Sequence, residues 1–128
     1  MHGTILLIDD NTLVTEIYRK ALLQRGYQVL EGTNISQGRH YFENHHPDLI
    51  IMETVLPDGD GNNFCRELRN KSSVPIIIVT IRGKEEDIIS GHNAGADLVF
   101  PKPYNTEMLI VRMEGLLRRV RRSYNVKE

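Results

Sequence analysis

Thr4-Ile5-Leu6-Leu7-Ile8 runs straight into Asp9-Asp10-Asn11, and this stretch decides the fold. An unbroken apolar run of that length reads as a strand buried on both faces, the kind found in parallel sheets. The pattern recurs in Asp48-Leu49-Ile50-Ile51-Met52, closed by Glu53, and in Val74-Pro75-Ile76-Ile77-Ile78-Val79-Thr80. Shorter strands are predicted over residues 27–31 and 97–100. Helical periodicity fills the gaps. Leu13, Ile17, Ala21 and Leu22 share one face of the first helix, and Gly26 is its stop signal. Asn34 or Ser36 caps the second helix, which ends before Pro47. Phe64 and Leu68 belong to the third, and a charged fourth runs from near Lys84 to just before Gly95. The last runs from about Thr106 to about Arg121, with Met108, Val111, Leu116 and Leu117 inward. Residues 56–61 read as a loop. Strand then helix, five times over, predicts an α/β fold. Its core is a five-stranded parallel sheet with helices on both faces, joined by right-handed crossovers.

A chain of 128 residues suits one domain with one core. Its 16 basic and 17 acidic side chains leave a net charge of -1, which gives no global pull toward nucleic acid or membrane. Basic residues gather late, at Arg118, Arg119, Arg121, Arg122 and Lys127. No aromatic or reader-helix context makes that run a DNA-binding site. The single cysteine, Cys65, excludes an intrachain disulfide and reads as a small buried hydrophobe. No apolar run approaches the roughly 18 residues of a membrane span, and Asp9-Asp10 interrupts any signal-like N-terminus. The expected location is therefore the cytoplasm. Asp58, Asp60 and Asn62 open with calcium-loop spacing, but Arg69 stands where the closing glutamate belongs. Gly83-Lys84 lacks the earlier glycine of a phosphate loop. His45-His46 fit a helix C-terminus, where cations favour the dipole.

The polar exceptions collect at one end of the predicted sheet. Asp9 and Asp10 follow the first strand, Glu53 the third, Thr80 the fourth and Lys102 the fifth. Open α/β sheets bind ligands at the carboxyl ends of their strands, beside the topological switch point. Three carboxylates close together repel unless a cation sits among them. Oxygen donors without nearby His or Cys favour a hard ion such as Mg²⁺. Lys102 adds a positive charge and Thr80 a hydroxyl donor, a set suited to a phosphoryl group. The competing reading is of solvated loop acids and a surface lysine.

The motifs together resemble the receiver domain of two-component response regulators, over essentially the whole length. The matching stretches are Leu7-Ile8-Asp9-Asp10-Asn11, Pro47-Asp48-Leu49-Ile50-Ile51-Met52, Leu56-Pro57-Asp58-Gly59-Asp60-Gly61, Pro75-Ile76-Ile77-Ile78-Val79-Thr80, Ala94-Gly95-Ala96-Asp97 and Pro101-Lys102-Pro103-Tyr104. The resemblance implies a flavodoxin-like (βα)5 doubly wound domain over residues 1–122. Residues 123–128 would be a tail or the start of a linker to an effector domain outside this chain. It implies a histidine kinase as partner, with a phosphoryl group passing to the carboxylate at the end of the third strand. Asp10 would be a direct metal ligand, Asp9 would act through water, and the backbone carbonyl of Val55 would complete the set with residue 53. Thr80 and Lys102 would contact the phosphoryl group, and the Lys102–Pro103 bond would be cis. Receivers at most catalyse their own phosphorylation and dephosphorylation, so no turnover of a separate substrate is implied. They act through protein contacts, without binding nucleic acid or membrane directly.

Two positions depart from the family pattern. The phospho-acceptor position carries Glu53 rather than Asp. One extra methylene moves the carboxylate by about 1.5 Å, and a misplacement of about 1 Å can cost on the order of a hundredfold in rate. Slow or absent phosphorylation is therefore expected, and Glu53 would partly mimic a phosphoryl group beside Thr80 and Lys102. Its Mg²⁺ site would be weakened by the same change. The aromatic residue usual three positions before the lysine is Val99, with Phe100 pointing to the opposite face of the strand. The expected output is a homodimer through the fourth helix, fifth strand and fifth helix. Lys84, Glu85, Glu86, Asp87, Asp97, Arg112 and Arg118 would form its crossed ion pairs. The alternative is a metal-dependent phosphoryl-transfer enzyme acting on a small molecule.

Overall fold

The computed structural model describes the backbone of residues 2–126 and the side chains of residues 2–122. In chain order the elements are β1 (Thr4–Ile8), α1 (Thr12–Gln24), β2 (Gln28–Gly32), α2 (Ile35–His45), β3 (Leu49–Met52), β4 (Val55–Leu56), β5 (Gly59–Asp60), α3 (Gly61–Arg69), β6 (Ile76–Thr80), α4 (Glu85–Asn93), β7 (Leu98–Pro101) and α5 (Thr106–Val126). Five strands form one parallel sheet in the order β2-β1-β3-β6-β7. The order reverses between β1 and β3, which opens a crevice at their carboxyl ends.

Alternation along the strands divides the core in two. Leu6, Ile8, Ile50, Met52, Ile76 and Ile78 face one way and pack with Ile35, Phe64, Cys65, Leu68 and Ala94 from α2, α3 and the end of α4. Ile5, Leu7, Leu49, Ile51, Ile77 and Val79 face the other way, against Tyr18, Leu22, Leu109, Ile110 and Met113 of α1 and α5. Both faces are covered, which is why these strands carry no polar alternation. Cys65 is fully buried, as expected. Asn34 is the α2 cap, its side chain accepting the Gln37 N–H at 2.8 Å.

The structure corrects several expectations. Leu22 faces the core, but Leu13 and Ile17 are exposed, and the inner face of α1 is Thr15, Tyr18 and Leu22. Met108 and Val111 are likewise exposed, whereas Leu109, Ile110, Met113, Leu116 and Leu117 are buried. Each helix carries more apolar residues than its inner face holds, so period alone leaves the phase open. Residues 56–61 are not simply a loop: β4 and β5 form a short antiparallel ribbon pairing Val55 with Asp60 and Leu56 with Gly59. The last helix continues past Arg121 to Val126. Among the described residues, no helix is long and apolar enough to cross a membrane.

Candidate functional site

Backbone ladders carried past the strand ends aim the site residues. Asp9 N–H donates to the Gly32 carbonyl at 3.0 Å, and Glu53 N–H donates to the Ile8 carbonyl at 2.9 Å. Each carboxylate is thus fixed just beyond the sheet. Lys102 N–H donates to the Thr80 carbonyl at 2.8 Å, setting the fourth and fifth main-sheet strands, β6 and β7, side by side at the crevice. The Lys102–Pro103 bond is cis. A Cβ on Gly61 would collide with the Glu53 carbonyl, so glycine lets α3 start directly against the pocket.

Lys102 is the hub. Its Nζ lies 2.7 Å from Asp9 Oδ2 and 3.1 Å from Glu53 Oε1, with all three side chains nearly buried. The other carboxylate oxygens also accept hydrogen bonds. Asn11 N–H donates to Asp9 Oδ1 at 2.9 Å. Glu53 Oε2 accepts the N–H groups of Thr54 at 2.6 Å and Val55 at 3.1 Å, and Oε1 accepts the Ile81 N–H at 3.0 Å. Thr80, 1% exposed, places its hydroxyl 2.7 Å from that of Thr54 and accepts the Arg82 N–H at 3.0 Å.

These contacts set the charges. Burial pushes the Glu53 carboxyl up, but the hydroxyl and N–H donors around it and Lys102 outweigh it, so the group lies below its ordinary value. Asp9 has fewer donors, and burial wins: its carboxyl lies above the ordinary value despite Lys102. Burial pulls Lys102 down, yet its two carboxylate partners carry it above the ordinary lysine value. Glu53 is therefore the firm anion of the pocket and Lys102 its firm cation.

The predicted residues divide accordingly. Asp9, Glu53, Thr80 and Lys102 converge. Asp10 is exposed, and no hydrogen bond or ion pair among the described residues involves its carboxylate. Val55 meets Glu53 through its N–H. Oxygen donors are the right chemistry for Mg²⁺, but an ion would have to compete for them. Lys102 and backbone N–H groups occupy the Asp9 and Glu53 oxygens, and no three acidic, His or Cys side chains among the described residues are grouped to hold an ion.

Nothing in the sequence pattern singles out Thr54, the Ile81 and Arg82 N–H groups, or Arg82, whose side chain reaches Asp60 at 3.4 Å. Backbone donors carry no residue signature, and Thr54 lies past the end of β3, where alternation no longer assigns a face. Beside the pocket is a groove of about 430 Å³ walled by Val14, Ile17, Tyr18, Ile81, Pro103 and Tyr104.

The family model for the response regulator receiver domain matches residues 5–114. The chain belongs to that family. It is 37% identical over 115 residues to the KDP operon transcriptional regulatory protein KdpE of Escherichia coli, covering 90% of this chain and 51% of that protein. It is 34% identical over 119 residues to the phosphate regulon transcriptional regulatory protein PhoB of Pseudomonas aeruginosa, covering 91% and 52%. The chain thus spans about half the length of the curated relatives it matches. A two-component response regulator from Clostridium difficile superposes with a TM-score of 0.88 at 29% identity, covering 91% of this chain and 97% of that one. A receiver domain protein from Methanospirillum hungatei gives 0.89 at 25%, covering 96% and 99%. None of these similarities supports the small-molecule enzyme.

Proposed function

We propose that this receiver domain is a signalling switch in a histidine-kinase pathway, with Glu53 at the phospho-acceptor position acting as an internal stand-in for the phosphoryl group. One observation carries the reading. The Glu53 carboxylate accepts the Thr54, Val55 and Ile81 N–H groups and meets Lys102, so one buried anion holds the donors of three strand ends together. Such a cradle suits phosphoryl oxygens, and a carboxylate fills it with less charge and fewer acceptors. Phosphorylation would have to displace these donors as well as tolerate the longer side chain. Mg²⁺ belongs to this reading only as a weak ligand near Asp10, competing with Lys102 for Asp9.

The output is a protein contact. Exposed Ile89, Met108 and Val111, with the acidic first turn of α4 and Arg112 and Arg118 of α5, support a homodimer through α4, β7 and α5. Asp97 contributes less than the sequence suggested, because Arg69 holds it at 2.9 Å within the same chain. Arg112 is partly engaged over the Phe100 ring, which stacks on Tyr104. Val99 is buried against Gly91 and Ile78, on the sheet face opposite Phe100.

The test is incubation with Mg²⁺ and a small acyl-phosphate donor, followed by intact mass. The unaltered chain is expected to gain no stable phosphoryl group, and Glu53→Asp to gain one. Rapid, stable modification of Glu53 itself would overturn the reading. An inert Glu53→Asp chain, with a control receiver modified, would place the defect elsewhere in the pocket.

A further inference from the structure

We infer that Thr54 is a positioning residue that couples the Glu53 charge to Thr80 and the start of the β6–α4 loop. The regulatory sense of this coupling rests on the proposed stand-in role of Glu53; the coupling itself can be measured without it.

Donor counting gives the connection a direction. Thr80 Oγ1 accepts the Arg82 N–H at 3.0 Å, so its own proton remains to be donated. The Thr54 hydroxyl lies 2.7 Å from it and 3.3 Å from Glu53 Oε2. A carboxylate can only accept, which fixes that end. One order satisfies every group: Arg82 N–H to Thr80 oxygen, Thr80 O–H to Thr54 oxygen, and Thr54 O–H to Glu53. Every hydroxyl then donates once and accepts once. Both threonines are buried, at 4% and 1% exposure, so water does not readily replace a lost partner. Arg82 continues the line to Asp60 on the β4–β5 ribbon. A valine at position 54 would keep the shape and break the line, because its methyl groups neither donate nor accept.

Backbone amide NMR on the intact chain tests this. Glu53→Gln is expected to shift the Arg82 amide strongly. In a Thr54→Val background that response is expected to be lost, and in Thr54→Ser to be retained. A direct Thr80–Glu53 contact, bypassing Thr54, would leave the Arg82 response intact in Thr54→Val and overturn the inference. Should Thr54→Val not fold, the unaltered protein decides: slowly exchanging hydroxyl protons on Thr54 and Thr80, with a cross-peak between them, are expected. Rapid exchange of both with solvent overturns the inference. Neither readout depends on whether Glu53 accepts a phosphoryl group, so this inference and the stand-in reading can fail separately.

Discussion

The two edges of the same sheet use similar residues in opposite ways. At the amino edge, charged groups lie near the surface and tie neighbouring segments together. Arg69 donates to the Val74 carbonyl at 2.6 Å, the Gly95 carbonyl at 2.8 Å and Asp97 at 2.9 Å, fastening the approaches to β6 and β7. Asp48 accepts the Thr4 N–H at 2.7 Å, Tyr27 donates to Glu114 at 2.9 Å, and Arg25 pairs with Glu107 and Glu114. At the carboxyl edge, two carboxylates and one ammonium are nearly buried around a single centre. The amino edge spreads its cost over several partly wet pairs. The carboxyl edge concentrates charge where desolvation is large and removal of one member strands the others.

Lys102→Met breaks that contrast most severely. It leaves Asp9 and Glu53 facing each other without a counterion, and removing one partner of a buried pair costs about 3–5 kcal/mol. Urea denaturation is expected to show a loss of that order. A loss below about 1 kcal/mol would mean that the pocket is as wet as the amino edge.

The pH profile separates the edges by sign. The Glu53 carboxyl lies below its ordinary value of 4.5 in the folded chain. The unfolded chain therefore binds more protons there, and the stability Glu53 contributes is full above that pH and lost as pH falls through the folded value. Asp9, raised by burial, opposes this over its own window. At the amino edge, burial and the Glu114 carboxylate push the Tyr27 phenol from 10.0 up to about 12. The folded chain keeps a proton that the unfolded chain loses, so stability falls as pH rises between those values. Glu53→Gln is expected to flatten the acid limb alone, and Tyr27→Phe the alkaline limb alone, in equilibrium unfolding against pH.

The contrast between edges also explains what the sequence made legible. Asp9, Glu53, Thr80 and Lys102 stand out because each ends or follows an apolar run, and topology brings strand ends together. The sheet was legible for the same reason: Ile76-Ile77-Ile78 has no polar alternation because both faces are covered. Helix phase was harder. Leu13, Ile17, Met108 and Val111 share the period of the buried residues but lie outside the inner faces. The finest part of the site was invisible, because the Val55, Ile81 and Arg82 N–H groups belong to any residue, and the Thr54 hydroxyl acquires its role only beside Thr80.

Arg82→Ala gives the smallest expected effect and the sharpest control. The guanidinium meets Asp60 at 3.4 Å with both side chains more than a third exposed, so it resembles an amino-edge pair placed at the carboxyl edge. Exposed pairs of this kind contribute about 0.2–1 kcal/mol and are screened by salt. The alanine keeps the Arg82 N–H, so its bond to Thr80 survives. Urea denaturation at low and high salt is expected to show a loss under about 0.5 kcal/mol that disappears as salt rises. A larger, salt-insensitive loss would show that the β4–β5 ribbon bears on the buried charges. The carboxyl edge would then have to be treated as one unit, from Lys102 out to Asp60.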